Sequence, residues 1–229
     1  SKELTSLIEG LSMSSDNIRS IILTGSGEKA FCAGGDLKER NGMSDDEWKK
    51  QHLVYERMIR ALIACPIPII GAINGAAYGG GCEIAASLDF IYVSENAKFA
   101  LPELGLGIIP GAGGTQTLAR AVGERRAKEL ILTGRVFTAE EAVKWNLAND
   151  VFPIDNLLEE TIKIAELISS KAPIAVKQAK QSIHKGLQMS LSDGLSFEIE
   201  AYNRTIPTKD RIEGVLAFNE KRKPKFKGQ

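Results

Sequence analysis

Residues 72–88 read AINGAAYGGGCEIAASL, and Glu83 is the one charged residue in this stretch. A second stretch, residues 99–112, reads FALPELGLGIIPGA, and its one charge is Glu103. A carboxylate in apolar surroundings is costly unless it has a partner, and its pKa tends to rise. Two such carboxylates indicate general acid/base chemistry near neutral pH, although each one alone also fits a paired carboxylate in a core or at a helix end.

Two glycine-rich turns precede predicted helices: AGGD at residues 33–36 and GGGCE at residues 79–83. Backbone N–H groups at a helix N-terminus lack intrahelical acceptors, and glycine lets a ligand approach the backbone closely. One N–H group from each turn could therefore hold a developing oxyanion, with tight helix packing as the alternative for either turn alone. Neither turn matches a nucleotide-binding fingerprint, because G-x-G-x-x-G and the phosphate-loop lysine are both missing.

Composition excludes several classes of protein. The chain has 229 residues, of which 43% are hydrophobic and 25% charged, and its 29 basic and 29 acidic residues give no global field for nucleic acid or an anionic membrane. No apolar run reaches the roughly 20 residues that a membrane helix needs. Cys32, Cys65 and Cys82 form no C-x-x-C pair. This argues against a disulfide scaffold or a zinc site and favours buried thiols.

Strand-like and helix-like segments alternate in the first half of the chain, and helices dominate the second half. This order predicts an α/β fold with a helical C-terminal part. Asp36 and Ser44 are predicted helix N-caps, each with a glutamate three residues later as in a capping box. The predicted strands are residues 18–24, 69–73, 90–93 and 98–101. The predicted helices are residues 1–12, one from 36, 44–62, 82–87, one from about 115, 124–133, 139–145, 157–170, 174–186, 191–204 and 208–221.

The histidines and the C-terminal tail contribute less to the prediction. His52 is expected in a charged helix and His184 in an amphipathic one, both away from the glycine-rich turns, so a Ser-His-Asp site is not predicted. Five basic residues lie between Lys221 and Lys227. Such a run is typical of a solvated tail.

Three segments, FCAGGDLKE, NGAAYGGGCEIAASLDF and PELGLGIIPGAGGTQTLAR, resemble the enoyl-CoA hydratase (crotonase) family in order and spacing, as does the tail EKRKPKF. The resemblance covers essentially all of the chain. It implies a crotonase-type spiral of ββα turns over residues 1–150 and a helical C-terminal trimerisation region over residues 151–229. It also implies a homotrimer or a hexamer built as a dimer of trimers. The N-terminal strands of relatives are expected to be missing before Ser1.

The same resemblance implies site residues and a reaction. Glu83 and Glu103 match the catalytic pair, and the N–H groups of Gly35 and Gly80 match the oxyanion hole that grips a thioester carbonyl. The implied reaction is syn addition of water across the 2,3-double bond of a 2-enoyl-CoA, in fatty-acid or branched-chain amino-acid breakdown. Coenzyme A is part of the substrate, and no metal or cofactor is implied. The matched coenzyme A contacts, two near the first turn and two in the tail region, are Ala33, Lys38, Phe218 and Lys221.

Alternatives stay open. FCAGGDLKER and TIPTKDRIEGVLAF are similar to methylglutaconyl-CoA hydratases of leucine degradation, so a branched acidic acyl chain is a candidate substrate, with pocket residues expected between positions 37 and 62. Δ3,Δ2-Enoyl-CoA isomerases usually lack the first glutamate, so Glu83 argues against isomerisation. An RNA-binding homologue is not expected, because residues 8–24 hold one arginine and no lysine. A cytoplasmic protein, or a mitochondrial matrix protein in a eukaryote, without a membrane partner is expected.

Overall fold

The computed structural model describes residues 1–14 and 18–229. Part of the segment considered for RNA binding, residues 15–17, lies outside these described residues. The chain forms two compact units, and the predicted division at residue 150 stays a prediction. The first unit comprises Ser1–Gly10, Ile22–Cys65 and Ile69–Ile162, and the second comprises Leu11–Ile21, Pro66–Pro68 and Lys163–Gln229.

Two four-stranded sheets organise the first unit. The first sheet has the strand order β1-β3-β5-β8 and the second has the order β2-β4-β6-β7. The pairs β3–β5, β5–β8, β2–β4 and β4–β6 are parallel, and β6–β7 is antiparallel. The strands are β1 Ile21–Thr24, β2 Ala30–Cys32, β3 Ile69–Ile73, β4 Ala76–Tyr78, β5 Phe90–Ser94, β6 Lys98–Ala100, β7 Phe137–Thr138 and β8 Asp150–Phe152.

Helices alternate with strands up to β8, and only helices follow it, as predicted. A 3₁₀ helix, Glu103–Leu106, follows β6. The α-helices are α1 Lys2–Met13, α2 Leu37–Arg40, α3 Asp45–Ala64, α4 Gly80–Ser87, α5 Gly114–Val122, α6 Glu124–Thr133, α7 Ala139–Lys144, α8 Ile154–Ser169, α9 Pro173–Gly186, α10 Leu191–Asn203 and α11 Lys209–Asn219.

Local sequence signals explain many of these boundaries. Ser44 and Glu47 form the predicted capping box at the start of α3. Asp36 caps α2 as predicted, but its carboxylate accepts a hydrogen bond from the N–H of Lys38, and the predicted box with Glu39 is not formed. The β-branched run of β3 is buried along its whole length, as expected for a strand covered on both faces. The strands β2, β4, β7 and β8 were not predicted.

The core of the first unit lies where the sheets meet α4, α5, α6 and α7. Phe99 and Phe137 are fully buried there, and their rings stack with centroids 5.3 Å apart. Leu118 of α5 and Leu130 of α6 belong to the same cluster of buried side chains. Since these helices and strands share one core, the residues that precede α4 and α5 are held in fixed positions.

In the second unit, the C-terminal tail is held by its backbone. The buried Asp210 carboxylate accepts hydrogen bonds from the N–H groups of Lys227 and Gly228, both at 2.7 Å. Arg222 forms a bidentate pair with Glu213. Most tail side chains stay exposed, in agreement with a solvated charge run, while the main chain follows a defined path.

Crossing a lipid bilayer requires a long, continuously apolar helix, and no helix within residues 1–14 and 18–229 meets that requirement.

One close backbone contact yields a stability prediction. A Cβ atom at position 81 would lie 1.9 Å from the carbonyl oxygen of Cys32. We expect Gly81→Ala to lower the free energy of unfolding by about 3 kcal/mol, the upper end of the usual cost of overpacking, because a backbone carbonyl must move to admit the methyl group. The control is Gly10→Ala, where a Cβ meets open space within a helix and should stabilise by about 0.5–1 kcal/mol. Denaturant unfolding measures both, and a Gly81→Ala value near wild type would contradict the contact.

Candidate active site

One large cavity opens in the first unit, with a volume of about 1150 Å³. Its walls come from the turn after β2, from α2 and α3, from the junction of β4 and α4, from the 3₁₀ helix and from residues 108–117. A cavity of this size accommodates a ligand larger than most drug-sized molecules. Both glycine-rich turns and both isolated glutamates from the sequence analysis line it.

The two glycine-rich turns meet at this cavity. Gly34 has φ of 92°, and Gly79 has φ of 52°, so both adopt backbone conformations that favour glycine. A Cβ atom at position 34 would lie 2.9 Å from the carbonyl oxygen of Tyr78 and 3.3 Å from the nitrogen of Gly80. The turn after β2 therefore packs directly against the start of α4.

The predicted oxyanion donors are Gly35 and Gly80, and both line the cavity. Gly80 is the first residue of α4, where N–H groups have no intrahelical acceptor. Within the part of the chain that the structure describes, neither the Gly35 N–H nor the Gly80 N–H donates a hydrogen bond. The geometry thus offers two neighbouring donors to a bound acceptor.

Glu83 lies on α4, one turn after Gly80, and only 3% of its surface is exposed. Its Oε1 atom accepts hydrogen bonds from the N–H groups of Ala112 at 2.8 Å and Gly114 at 2.9 Å. Burial raises the pKa of Glu83, while these two hydrogen bonds and the nearby His52 oppose the rise. The carboxylate is therefore fixed in orientation and basic for its type.

Glu103 begins the 3₁₀ helix and is also buried. Its Oε2 atom is buried and has no hydrogen-bond partner among the described residues. Burial raises the pKa of Glu103, its own backbone N–H opposes the rise, and the negative charge of Glu83 raises it further. Burial and the charge of Glu83 therefore both favour the protonated form of Glu103.

Cys82 lies beside this pair without joining its chemistry. The thiol is fully buried, and burial together with the charges of Glu103 and Glu83 raises its pKa. A thiol in such surroundings is inert. The expectation of buried cysteines is confirmed for Cys65 and Cys82, whereas Cys32 is half-buried and lines the cavity.

His52 lies in a charged helix, α3, as expected, but the prediction that it lies away from the glycine-rich turns is wrong. Its side chain lines the cavity, and a Cβ atom at position 111 would lie 2.5 Å from its Cε1 atom. His52 therefore touches the glycine-rich segment that donates to Glu83. The helix period could have placed His52 in the site. Spacing of i, i+4, i+7, i+11 puts four residues on one face of α3, and all of them line the cavity: Trp48, His52, Tyr55 and Ile59.

Comparison with known proteins identifies the family. A profile of the enoyl-CoA hydratase/isomerase family matches residues 1–229. The chain belongs to this family.

Individual relatives are similar to this chain over most of its length. The short-chain-enoyl-CoA hydratase of Clostridium acetobutylicum is 44% identical over 206 residues, which is 90% of this chain and 79% of that protein. The crotonyl-CoA hydratase of Syntrophomonas wolfei is 42% identical over 206 residues, again 90% and 79%. The crystal structure of an enoyl-CoA hydratase from Bacillus anthracis has a TM-score of 0.97 at 47% identity and covers 99% of this chain and 88% of that one. The predicted crotonase-type α/β fold is confirmed.

The coenzyme A positions expected from the enoyl-CoA hydratase/isomerase family are distributed over both units. Ala33 is exposed and lines the cavity, whereas Lys38 is exposed on α2 and is not part of the lining. Phe218 and Lys221 belong to the second unit, where 83% of the Phe218 surface is exposed. The roles of all four stay predictions.

No group of three His, Cys, Asp or Glu side chains within the described residues could hold a metal ion.

The buried Glu103 of this family member makes its stability depend on pH. Because the pKa of Glu103 is raised above 4.5, the folded chain binds the proton more tightly than the unfolded chain. Protonated Glu103 therefore adds to the free energy of unfolding. This contribution is fully present below pH 4.5 and is lost as the pH rises through the folded-state pKa. Glu103→Gln lacks this loss, so its melting temperature should exceed that of wild type by a margin that grows between pH 5 and pH 8. Calorimetry across this range measures the margin, and a margin independent of pH would contradict the raised pKa.

Proposed function

We propose that this protein is an enoyl-CoA hydratase, which adds water across the 2,3-double bond of a 2-enoyl-CoA thioester to give a 3-hydroxyacyl-CoA. One observation carries the proposal: the buried carboxylates of Glu83 and Glu103 and the unpaired N–H groups of Gly35 and Gly80 line the same cavity. Relatives named short-chain-enoyl-CoA and crotonyl-CoA hydratase support crotonyl-CoA as the first substrate to assay.

The thioester carbonyl oxygen accepts hydrogen bonds from Gly35 and Gly80. These donors withdraw electrons from the conjugated double bond and make the β-carbon electrophilic. As hydroxide character adds there, negative charge develops on the thioester oxygen, where fixed donors stabilise the transition state more than the ground state. Removing one such donor typically costs about 2.7–4 kcal/mol in the barrier.

The two glutamates divide the proton transfers. A water molecule between them gives its proton to the Glu83 carboxylate as its oxygen bonds to the β-carbon. Glu103, protonated at the start of the cycle, gives its proton to the α-carbon, which completes the addition of H and OH to the same face. The raised pKa of Glu103 supports this protonated state, and Glu83 keeps its orientation through Ala112 and Gly114. Proton exchange then returns both groups to their starting states.

Coenzyme A recognition and assembly complete the proposal. Ala33 and Lys38 contact coenzyme A from the same subunit, and Phe218 and Lys221 reach it from a neighbouring subunit of a homotrimer or hexamer. The reaction needs no metal or redox cofactor. Apolar side chains exposed on the helices of the second unit and at their ends support an assembled state. These side chains are Ile183, Leu187, Leu191, Ile199, Tyr202 and Phe218.

The catalytic roles are tested by amide variants. Glu83→Gln and Glu103→Gln should each lower kcat for crotonyl-CoA by about 10²- to 10⁴-fold, the range for general acid/base groups, while the Kd of a saturated acyl-CoA changes little. Loss of the conjugated thioester absorbance measures turnover, and calorimetric titration measures binding. The exposed Glu95, changed to Gln, is the matched control and should retain wild-type turnover.

Near-wild-type turnover of either amide variant would refute the two-carboxylate mechanism. Movement of the double bond of a 3-enoyl-CoA without water addition would instead assign isomerase activity.

The tail contacts are tested together with assembly. Light scattering should give a particle mass three or six times the 24.8 kDa of one chain. Phe218→Ala and Lys221→Ala should raise KM for crotonyl-CoA by about 3- to 10-fold with kcat retained, since each removes a partly exposed contact. Lys223→Ala, a second exposed tail lysine, is the control. A monomer with unchanged KM in both variants would contradict the intersubunit contact.

A further inference from the structure

A guanidinium group stands in the cavity wall beside the proposed oxyanion donors. Arg40 ends α2, is half-buried and lines the cavity. A Cβ atom at position 35 would lie 3.2 Å from its terminal nitrogen Nη2 and 3.3 Å from Cζ. The positive charge of Arg40 therefore lies next to Gly35, the residue proposed to hold the thioester oxygen.

Neighbouring side chains fix this guanidinium in place. Its Nε–H donates to Oε1 of Gln51 at 2.8 Å. Its Cζ lies 4.5 Å from the ring centre of Trp48 and 5.4 Å from that of Tyr55. Stacking on aromatic rings and one neutral hydrogen bond orient the group without neutralising it.

The charge of Arg40 is not compensated within the described residues. No carboxylate there forms an ion pair with it, and its terminal nitrogens have no hydrogen-bond acceptor. The other lysine and arginine side chains of the cavity wall do have acidic partners: Lys49 pairs with Asp46, and Arg60 pairs with Glu56. An arginine always carries its charge, and its planar fork matches a carboxylate in bidentate geometry.

We infer that Arg40 binds a carboxylate on the acyl chain of the substrate, so that this enzyme acts on short dicarboxylic monothioesters of the glutaconyl-CoA type. The inference rests on the proposed function, since it places the thioester at Gly35. Because Arg40 adjoins Gly35, the carboxylate must lie only a few bonds from the thioester carbon. Water adds as proposed above, with OH on the β-carbon and H on the α-carbon, and the distal carboxylate is unchanged.

The test compares one substrate that carries this carboxylate with two that do not. Wild type, Arg40→Met and Arg40→Lys are each assayed with three substrates. These are glutaconyl-CoA, its neutral methyl ester at the distal carboxylate, and crotonyl-CoA. The ratio of kcat/KM for glutaconyl-CoA to that for crotonyl-CoA should fall by about 10- to 100-fold in Arg40→Met, the range for a hydrogen-bonded charge pair. Arg40→Lys should recover part of the ratio. Wild type should prefer the free acid over the methyl ester.

Lys50→Met is the control, because it removes the same charge from an exposed position on α3 that does not line the cavity. Its ratio should equal that of wild type. An unchanged ratio in Arg40→Met, or equal wild-type rates with acid and ester, would overturn the inference. Equal losses on crotonyl-CoA and glutaconyl-CoA would also overturn it, because they would place Arg40 on the coenzyme A moiety common to both.

Binding separates this inference from the proposed reaction. Saturated glutaryl-CoA and butyryl-CoA report acyl recognition without turnover. If wild type hydrates no enoyl-CoA but still binds glutaryl-CoA about 10-fold or more tighter than butyryl-CoA through Arg40, the proposed function fails and the carboxylate site stands. If crotonyl-CoA is hydrated and Arg40→Met leaves the Kd of glutaryl-CoA unchanged, the proposed function stands and the carboxylate site is refuted.

Discussion

The close approach of two backbones, at the end of β2 and the start of α4, is the constraint on which the rest of the site depends. The carbonyl oxygen of Cys32 leaves no room for a side chain at Gly81. This contact brings the Gly35 turn beside Gly80 and sets the direction of α4. Glu83, one helical turn after Gly80, therefore lies in the cavity wall, where its carboxylate accepts hydrogen bonds from the N–H groups of Ala112 and Gly114. One packing contact therefore positions both donors and one carboxylate.

The second carboxylate shows a conflict between stability and chemistry. An unpaired, buried oxygen such as Glu103 Oε2 lowers the stability of a fold, and a structural network would have given it a donor. Glu83 is different, because two backbone N–H groups occupy its Oε1 atom. Glu83 is thus oriented by the protein itself, whereas Glu103 keeps one oxygen available for a hydrogen bond with a ligand. Such an asymmetry separates the acid and base roles of chemically identical side chains.

Much of the fold followed from local signals, and the exceptions have physical reasons. The period of α3, its Ser44 cap and the buried run of β3 act within a few residues, so the sequence alone predicts them. The strands β2 and β4 are only three residues long, too short to show a period, and their pairing comes from contacts distant in sequence. The same limit applies to the site. Isolated charge identified Glu83 and Glu103. The helix period places His52 on one face with Trp48 and Ile59, but only tertiary packing turns that face toward the cavity.

The charges of the cavity limit the acyl groups that it can hold. Both Glu83 and Glu103 already have raised pKa values, partly because each is buried. A third carboxylate, brought by the substrate, would raise them further and leave three acidic groups in one poorly solvated space. An arginine fixed at the same wall offsets the incoming charge, and Arg40 has neither an acidic partner of its own among the described residues nor freedom to turn away. With a neutral acyl chain, the guanidinium of Arg40 would stay without a counter-charge among the described residues, so an acidic acyl group is the better match for this wall of the cavity.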